Sequence, residues 1–215
     1  MGLNIFKKIQ HILSFNTKEP NPILSLFLEK KCLFFHIPKT AGISISNSIY
    51  GDIKWGHRTV NYYKSYYGDE VFNSLYKFCF VRNPYDRLFS AYTFLKKGGI
   101  NDQDLAFSEK HLHEYLDFED FVLRGLEKKE IMEWVHFRPQ HTFVCDDNNK
   151  MVMDFVGKME NINEDFSYLC KQINVNVELK KLNMSSVKKN DFSDNIKSII
   201  KSKYQKDFTL FYPYL

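Results

Sequence analysis

Two segments of this 215-residue chain each read as a buried strand that runs into a tight polar turn and then a helix. The first is Phe34-Phe35-His36-Ile37-Pro38-Lys39-Thr40-Ala41-Gly42-Ile43-Ser44. The second is Phe78-Cys79-Phe80-Val81-Arg82-Asn83-Pro84-Tyr85-Asp86-Arg87-Leu88-Phe89-Ser90. Each apolar run is too short for a helix and suits a strand covered on both faces. Such strands belong to parallel sheets, whose members are joined by crossover helices. The pattern therefore predicts an α/β chain with a central, mostly parallel sheet flanked by helices. In open sheets of this kind, anions bind at the turns that leave the strand ends. There, unpaired backbone N–H groups meet the positive end of a helix dipole.

The first turn offers Lys39 as a mobile charge, Thr40 and Ser44 as hydroxyl donors, and Ala41 and Gly42 as small residues that let an anion approach. Alone it reads equally as an ordinary turn with a surface lysine. It is not a GxxxxGK[ST] loop, because its lysine precedes the glycine. The second turn puts Arg82 at a strand end and Ser90 two helical turns on, with Asn83 as cap and Pro84 at the first helical position. Arginine presents a planar fork of donors to a phosphate. Alone, Arg82 or Arg87 reads equally as the ion-pair partner of Asp86 or another acid. Together the two turns suit a nucleotide with two separate anionic groups.

The remaining predictions follow from pattern. A helix over 3–15 carries Leu3, Phe6, Ile9, Ile12 and Leu13 on one face; it reads first as packed on its own domain and second as a membrane-surface helix. Residues 16–22 read as a linker, which leaves 23–215 as one domain. Strands are expected at 32–37, 77–82, 142–145 and 151–156, with a short one at 53–56. Helices are expected at 43–50, 60–67 (broken by Gly68), 84–95, 118–126, 129–135, 162–173 and 194–205. Residues 100–116 show no period.

Composition narrows the function. The 44% hydrophobic and 16% aromatic content suits a folded globule, and a formal charge of +4 gives no global argument for nucleic acid. Of 30 Lys and Arg, nine lysines fall in 171–215 against four acids there, with no interleaved pattern of basic and stacking residues. Cys32, Cys79, Cys145 and Cys170 form no CxxC pair and read as free thiols of a reducing compartment. No apolar stretch is long enough for a membrane span, and no leader pattern opens the chain. A compact metal-ligand cluster such as HExxH is absent, so no metal is expected.

Taken together, the segments resemble the sulfotransferases that use 3′-phosphoadenosine 5′-phosphosulfate. The nearest likeness is to the carbohydrate branch, with its chondroitin/dermatan-type and heparan 2-O-type enzymes and bacterial relatives. Further segments carry the likeness: His136-Phe137-Arg138-Pro139-Gln140, Asp154 to Ile162 with its Gly-x-x-Glu-Asn turn, Leu182-Asn183-Met184-Ser185-Ser186, and the closing Tyr204 to Tyr212. The resemblance implies a single P-loop-like domain. It implies that Pro38, Lys39, Thr40, Ala41, Gly42, Ile43 and Ser44 hold the 5′-phosphosulfate. It implies that Arg82 and Ser90 hold the 3′-phosphate, with Ser185, Ser186 and Lys188 near the nucleotide. Lys189 could add charge there. Ile43 departs from the family, many of whose members carry a hydroxyl at that place; backbone N–H groups can replace that donor.

Sulfuryl transfer needs an in-line acceptor hydroxyl, a base, and positive charge on the leaving phosphate. Lys39 is the candidate for that charge. His57, in Trp55-Gly56-His57-Arg58-Thr59, is the first candidate base. His136 is the second, with acceptor binding as its other role, and Glu109 or Glu114 offer a carboxylate instead. Arg58, His136, Arg138 and Gln140 are expected on the acceptor side. The expected acceptor is a saccharide, in a bacterial-type cytoplasm where the donor is made, with the inner membrane face as a further site. The competing classes are a small kinase, a non-catalytic nucleotide- or glycan-binding protein, and a nucleic-acid binder.

Overall fold

Cys32–Phe35 forms strand β1 because four apolar residues are followed by His36 and Pro38, and all four are buried. The computed structural model describes residues 22–52, 56–180 and 191–215. The expected helix at 3–15, most of the linker, and part of the expected strand at 53–56 lie outside them. In chain order the longer elements are helix α1 (Pro22–Lys30), β1, helix α2 (Gly42–Ile49), helix α3 (Val60–Ser74), strand β2 (Tyr76–Val81), helix α4 (Pro84–Lys96), helix α5 (Asp102–His111), strand β3 (Phe155–Lys158), helix α6 (Ile162–Gln172), helix α7 (Asp194–Lys203) and helix α8 (Gln205–Phe211). The described residues divide into two compact units. One comprises 22–37, 41–52, 56–81 and 142–180; the other comprises 38–40, 82–141 and 191–215.

The first unit holds the sheet, a parallel three-stranded layer in the order β1-β2-β3. Phe35 stands opposite Cys79, and Val81 opposite Lys158. Phe80 pairs in register with Gly157, and a Cβ there would lie 2.5 Å from the Phe80 ring. The glycine is therefore the seat of that phenylalanine. The core of the unit is aromatic: Phe27 meets Tyr63 and Tyr50 edge-on, Phe35 meets Tyr63, and Phe34 stacks on Phe78. Helix α3 breaks at Gly68 (φ 74°, ψ 159°) as the sequence predicts, then resumes to Ser74. All four cysteines are free and buried.

Two expected strands differ. Residues 142–145 enter a helical turn, His141–Val144, in spite of their β-branched and aromatic composition. The last strand lies at Phe155–Lys158 rather than 151–156, paired with β2. Around the intervening turn, 145 and 151 make one isolated bridge, and Asp146 accepts from the N–H groups of Asn148 and Lys150. That turn satisfies its own polar groups, so no hairpin ladder is needed.

In the second unit, α4 starts where the Asn83 side chain accepts from the Tyr85 N–H at 2.9 Å, with Pro84 in the first turn. Gly98 and Gly99 end it with φ of 91° and 70°. Helix α5 occupies the stretch that the sequence leaves without a period. A π-turn at Phe121–Gly125 replaces most of the continuous helix expected over 118–126. Gly125 gives the Phe121 ring its room there, since a Cβ would come within 2.8 Å of it. The helix expected over 194–205 is α7, which ends at Lys203, and α8 follows the turn at Tyr204.

Candidate active site

Lys39 begins the site. Its backbone is left-handed (φ 69°), as is that of Ala41 (φ 60°, ψ 22°), which caps α2. Neither is glycine, so each bears a cost of about 1 kcal/mol that the surroundings must impose. The Lys39 ammonium lies 3.8 Å from the centre of the Phe94 ring. Burial, and the nearby cations Arg82 and Arg87, bring its pKa down to about 8, while Asp104 opposes them. Lys39 is thus a cation close to losing its proton, among cations.

Around it the second unit builds a rigid frame. Arg87 is 1% exposed, yet its guanidinium faces carbonyls rather than an acid. Nε donates to Pro38 O at 3.0 Å, and Nη2 donates to His136 O at 3.3 Å and to Arg138 O at 2.9 Å. One buried cation therefore ties the start of the Lys39 turn to the His136–Arg138 segment. Burial lowers its pKa, and Tyr204 and Asp207 counter that.

Arg82 is held through its backbone. Its N–H donates to Gln140 Oε1 at 3.0 Å, and its C=O accepts from Gln140 Nε2 at 2.9 Å. Gln140 is held in turn: its N–H donates to Asp207 Oδ2 at 2.7 Å. Asp207 Oδ1 accepts from the N–H of His141 at 2.9 Å and from its Nδ1 at 2.7 Å. The Tyr204 hydroxyl donates to Phe137 O at 2.6 Å. The closing Tyr-x-x-Asp-Phe segment is thus the anchor of the His136–His141 stretch.

Asp104 is a buried acid near Lys39. Asn101 caps α5 by accepting from the Asp104 N–H, and the Asp104 carboxylate accepts from His136 Nε2 at 3.2 Å. Burial raises its pKa, while the Ile100 N–H and Lys39 oppose that. Gly99 makes room for it, since a Cβ there would lie 2.1 Å from Asp104 Cβ.

The first unit holds Gly42, Ser44 and His57. A Cβ on Gly42 would stand 1.9 Å from His36 Cδ2, so only glycine fits against that imidazole. His57 Nδ1 donates to the His36 carbonyl at 2.9 Å, and the two rings are 4.4 Å apart. A carbonyl can only accept, so Nδ1 carries the proton and Nε2 is the basic nitrogen. Ser44 is wholly buried at the start of α2, as is Thr40 in the second unit. Ile43 is 43% exposed.

The candidates thus separate by environment. Lys39, Arg82, His136, Arg138 and Gln140 share the second unit with Thr40 and with Ser90, half-buried on α4. Gln140, expected on the acceptor side, is fully buried, with its amide engaged by Arg82. Arg58 is exposed, with its guanidinium 4.6 Å from the centre of the Tyr62 ring. Glu114 pairs with Lys128, and Glu109 borders an open cleft with Lys97 and His113. Ser185, Ser186, Lys188 and Lys189 lie outside the described residues. Among the described residues no three of His, Cys, Asp and Glu gather to hold a metal ion, and no helix is long and apolar enough to cross a membrane.

Sequence reasoning missed Arg87 as a frame residue and Asp104 altogether. A signal existed: Arg87 falls on the stripe Arg87, Leu88, Ala91, Tyr92, Leu95 that α4 buries. A charge on an apolar stripe must have partners in the fold.

Comparison with known proteins adds the following. The sequence model described as the sulfotransferase family matches residues 27–213. An uncharacterized protein of Archaeoglobus fulgidus is 30% identical over 112 residues, which are 52% of this chain and 78% of that protein. No solved structure matches the chain.

Proposed function

Because the chain belongs to the sulfotransferase family, we propose that it moves a sulfuryl group from 3′-phosphoadenosine 5′-phosphosulfate to a hydroxyl of a saccharide. The observation that carries the reading is the cation cluster. Burial lowers the pKa of Lys39 first, and Arg82 and Arg87 lie near enough to lower it further, with Asp104 as the acid that opposes them. Buried like charges of this kind suit a polyanion, and the donor set of lysine, arginine and hydroxyls fits phosphate and sulfate oxygens.

When bound, the nucleotide supplies an activated sulfuryl group whose S–O bond to the 5′-phosphate breaks as the acceptor oxygen bonds to sulfur. His57 Nε2 takes the acceptor's proton, and the Nδ1 bond to the His36 carbonyl holds the ring in the tautomer that can do so. Lys39 neutralises the phosphate oxygen that is left with the bonding pair. The Pro38–Ser44 turn holds the 5′ end, Arg82 and Ser90 the 3′-phosphate, and Ser185, Ser186 and Lys188 join the nucleotide side. Arg58, His136 and Arg138 face the acceptor. The transferase domain in this reading is 23–215, working in the cytoplasm, where the donor is made.

The test is calorimetric titration with 3′-phosphoadenosine 5′-phosphate, the reaction's nucleotide product, on the wild type and on Arg82→Ala. The wild type is expected to bind, and the variant to lose about a hundredfold, as for a lost charge-assisted pair. Folded wild-type protein that does not bind the nucleotide overturns the reading. An acceptor screen with labelled donor then separates transfer to saccharides from binding alone.

A further inference from the structure

We infer that Gln140 is a positioning residue that sets the preference of the site for a nucleotide bearing a 3′-phosphate. The inference rests on the reading above, in which Arg82 meets that phosphate. Pairing along β2 ends at Val81 opposite Lys158, and Arg82 is the next residue. Its backbone lies in a buried place, since Arg82 is 6% exposed. Both of its main-chain polar groups pair with one side chain, at 3.0 and 2.9 Å.

A glutamine amide carries a C=O and an N–H in one plane, which is the equipment of a peptide unit in a neighbouring strand. Gln140 therefore pairs with the Arg82 main chain as a neighbouring peptide unit would, and it fixes the direction in which the Arg82 side chain leaves the backbone. Glutamate lacks the donor. Leucine lacks both groups, and asparagine is shorter by a methylene. The clamp is itself fixed, because Asp207 holds the Gln140 N–H at 2.7 Å. Gln140 is 0% exposed, so its amide acts on Arg82 and touches no substrate.

The experiment compares Gln140→Leu and Gln140→Glu with the wild type in titrations of two nucleotides, 3′-phosphoadenosine 5′-phosphate and adenosine 5′-phosphate. The wild type is expected to prefer the first. In the variants, that preference should fall about tenfold, the scale of one well-placed hydrogen bond, while affinity for adenosine 5′-phosphate stays as it was. Where Gln140→Leu does not fold, Gln140→Glu, which keeps the shape and one of the two bonds, supplies the result. In an Arg82→Ala background the Gln140 change should cost nothing further. Equal weakening of both nucleotides, or no weakening, overturns the inference while leaving the nucleotide reading intact. A wild type with no preference for the 3′-phosphate overturns the reading itself, and this inference with it.

Discussion

At the scale of single residues, Lys39 has the sharpest chemistry. Its pKa of about 8 makes it a cation below that pH and neutral above it. A lysine whose charge stabilises a leaving oxygen should give kcat/KM for the donor an alkaline limb, falling tenfold per pH unit above about pH 8. Lys39→Arg keeps its charge throughout, so the limb should move beyond about pH 10 even where the maximal rate is lower. A limb that stays near pH 8 in the arginine variant removes Lys39 from that role. Lys39 and Arg82 stand out in the sequence because each is a charged residue in or beside a polar turn that follows an apolar run. Arg87 and Asp104 were not, because their partners come from distant stretches. The bond from Arg87 to Pro38 spans 49 residues, and that from His136 to Asp104 spans 32.

At the scale of elements, α5 shows how much rests on a cap. Its buried residues are Asp104, Phe107 and Ser108, so only one is apolar and no stripe marks it in the sequence. What starts it is Asn101, whose Oδ1 accepts from the Asp104 N–H at 2.9 Å and whose Nδ2 donates to the Asp104 carboxylate at 3.3 Å. Asn101→Ala should cost about 1 kcal/mol. On a chain of this size that is a fall of roughly 2–4 °C in the thermal midpoint. An unchanged melt would show that α5 is held by its packing alone. By contrast β1, β2 and α4 were legible, since continuous apolar runs ended by proline and an Asn-Pro start are local signals. The turn at 141–144 and the shift of β3 were not, because there the fold overrides local propensity.

At the scale of the whole molecule, the C-terminal helices act on residues far upstream. Asp207 accepts three donors from Gln140 and His141, and it is wholly buried. Asp207→Ala leaves those donors without their acceptor, so a loss of about 3 kcal/mol is expected. Differential scanning calorimetry should then show a drop of roughly 6–12 °C. A drop of a degree or less would mean that the 137–141 stretch is fixed by other contacts. The family match over 27–213 agrees with this reach, as it runs through the same helices. The anchoring bonds of Tyr204 and Asp207 to Phe137 and Gln140 each span 67 residues. Contacts of such separation form late, after many loops have closed. Synthesis proceeds from the N-terminus, and the anchor lies 67 residues beyond the stretch that it fixes. A nascent chain therefore carries the 137–141 stretch well before the residues that anchor it, and that stretch becomes fixed only once Tyr204 and Asp207 have been made.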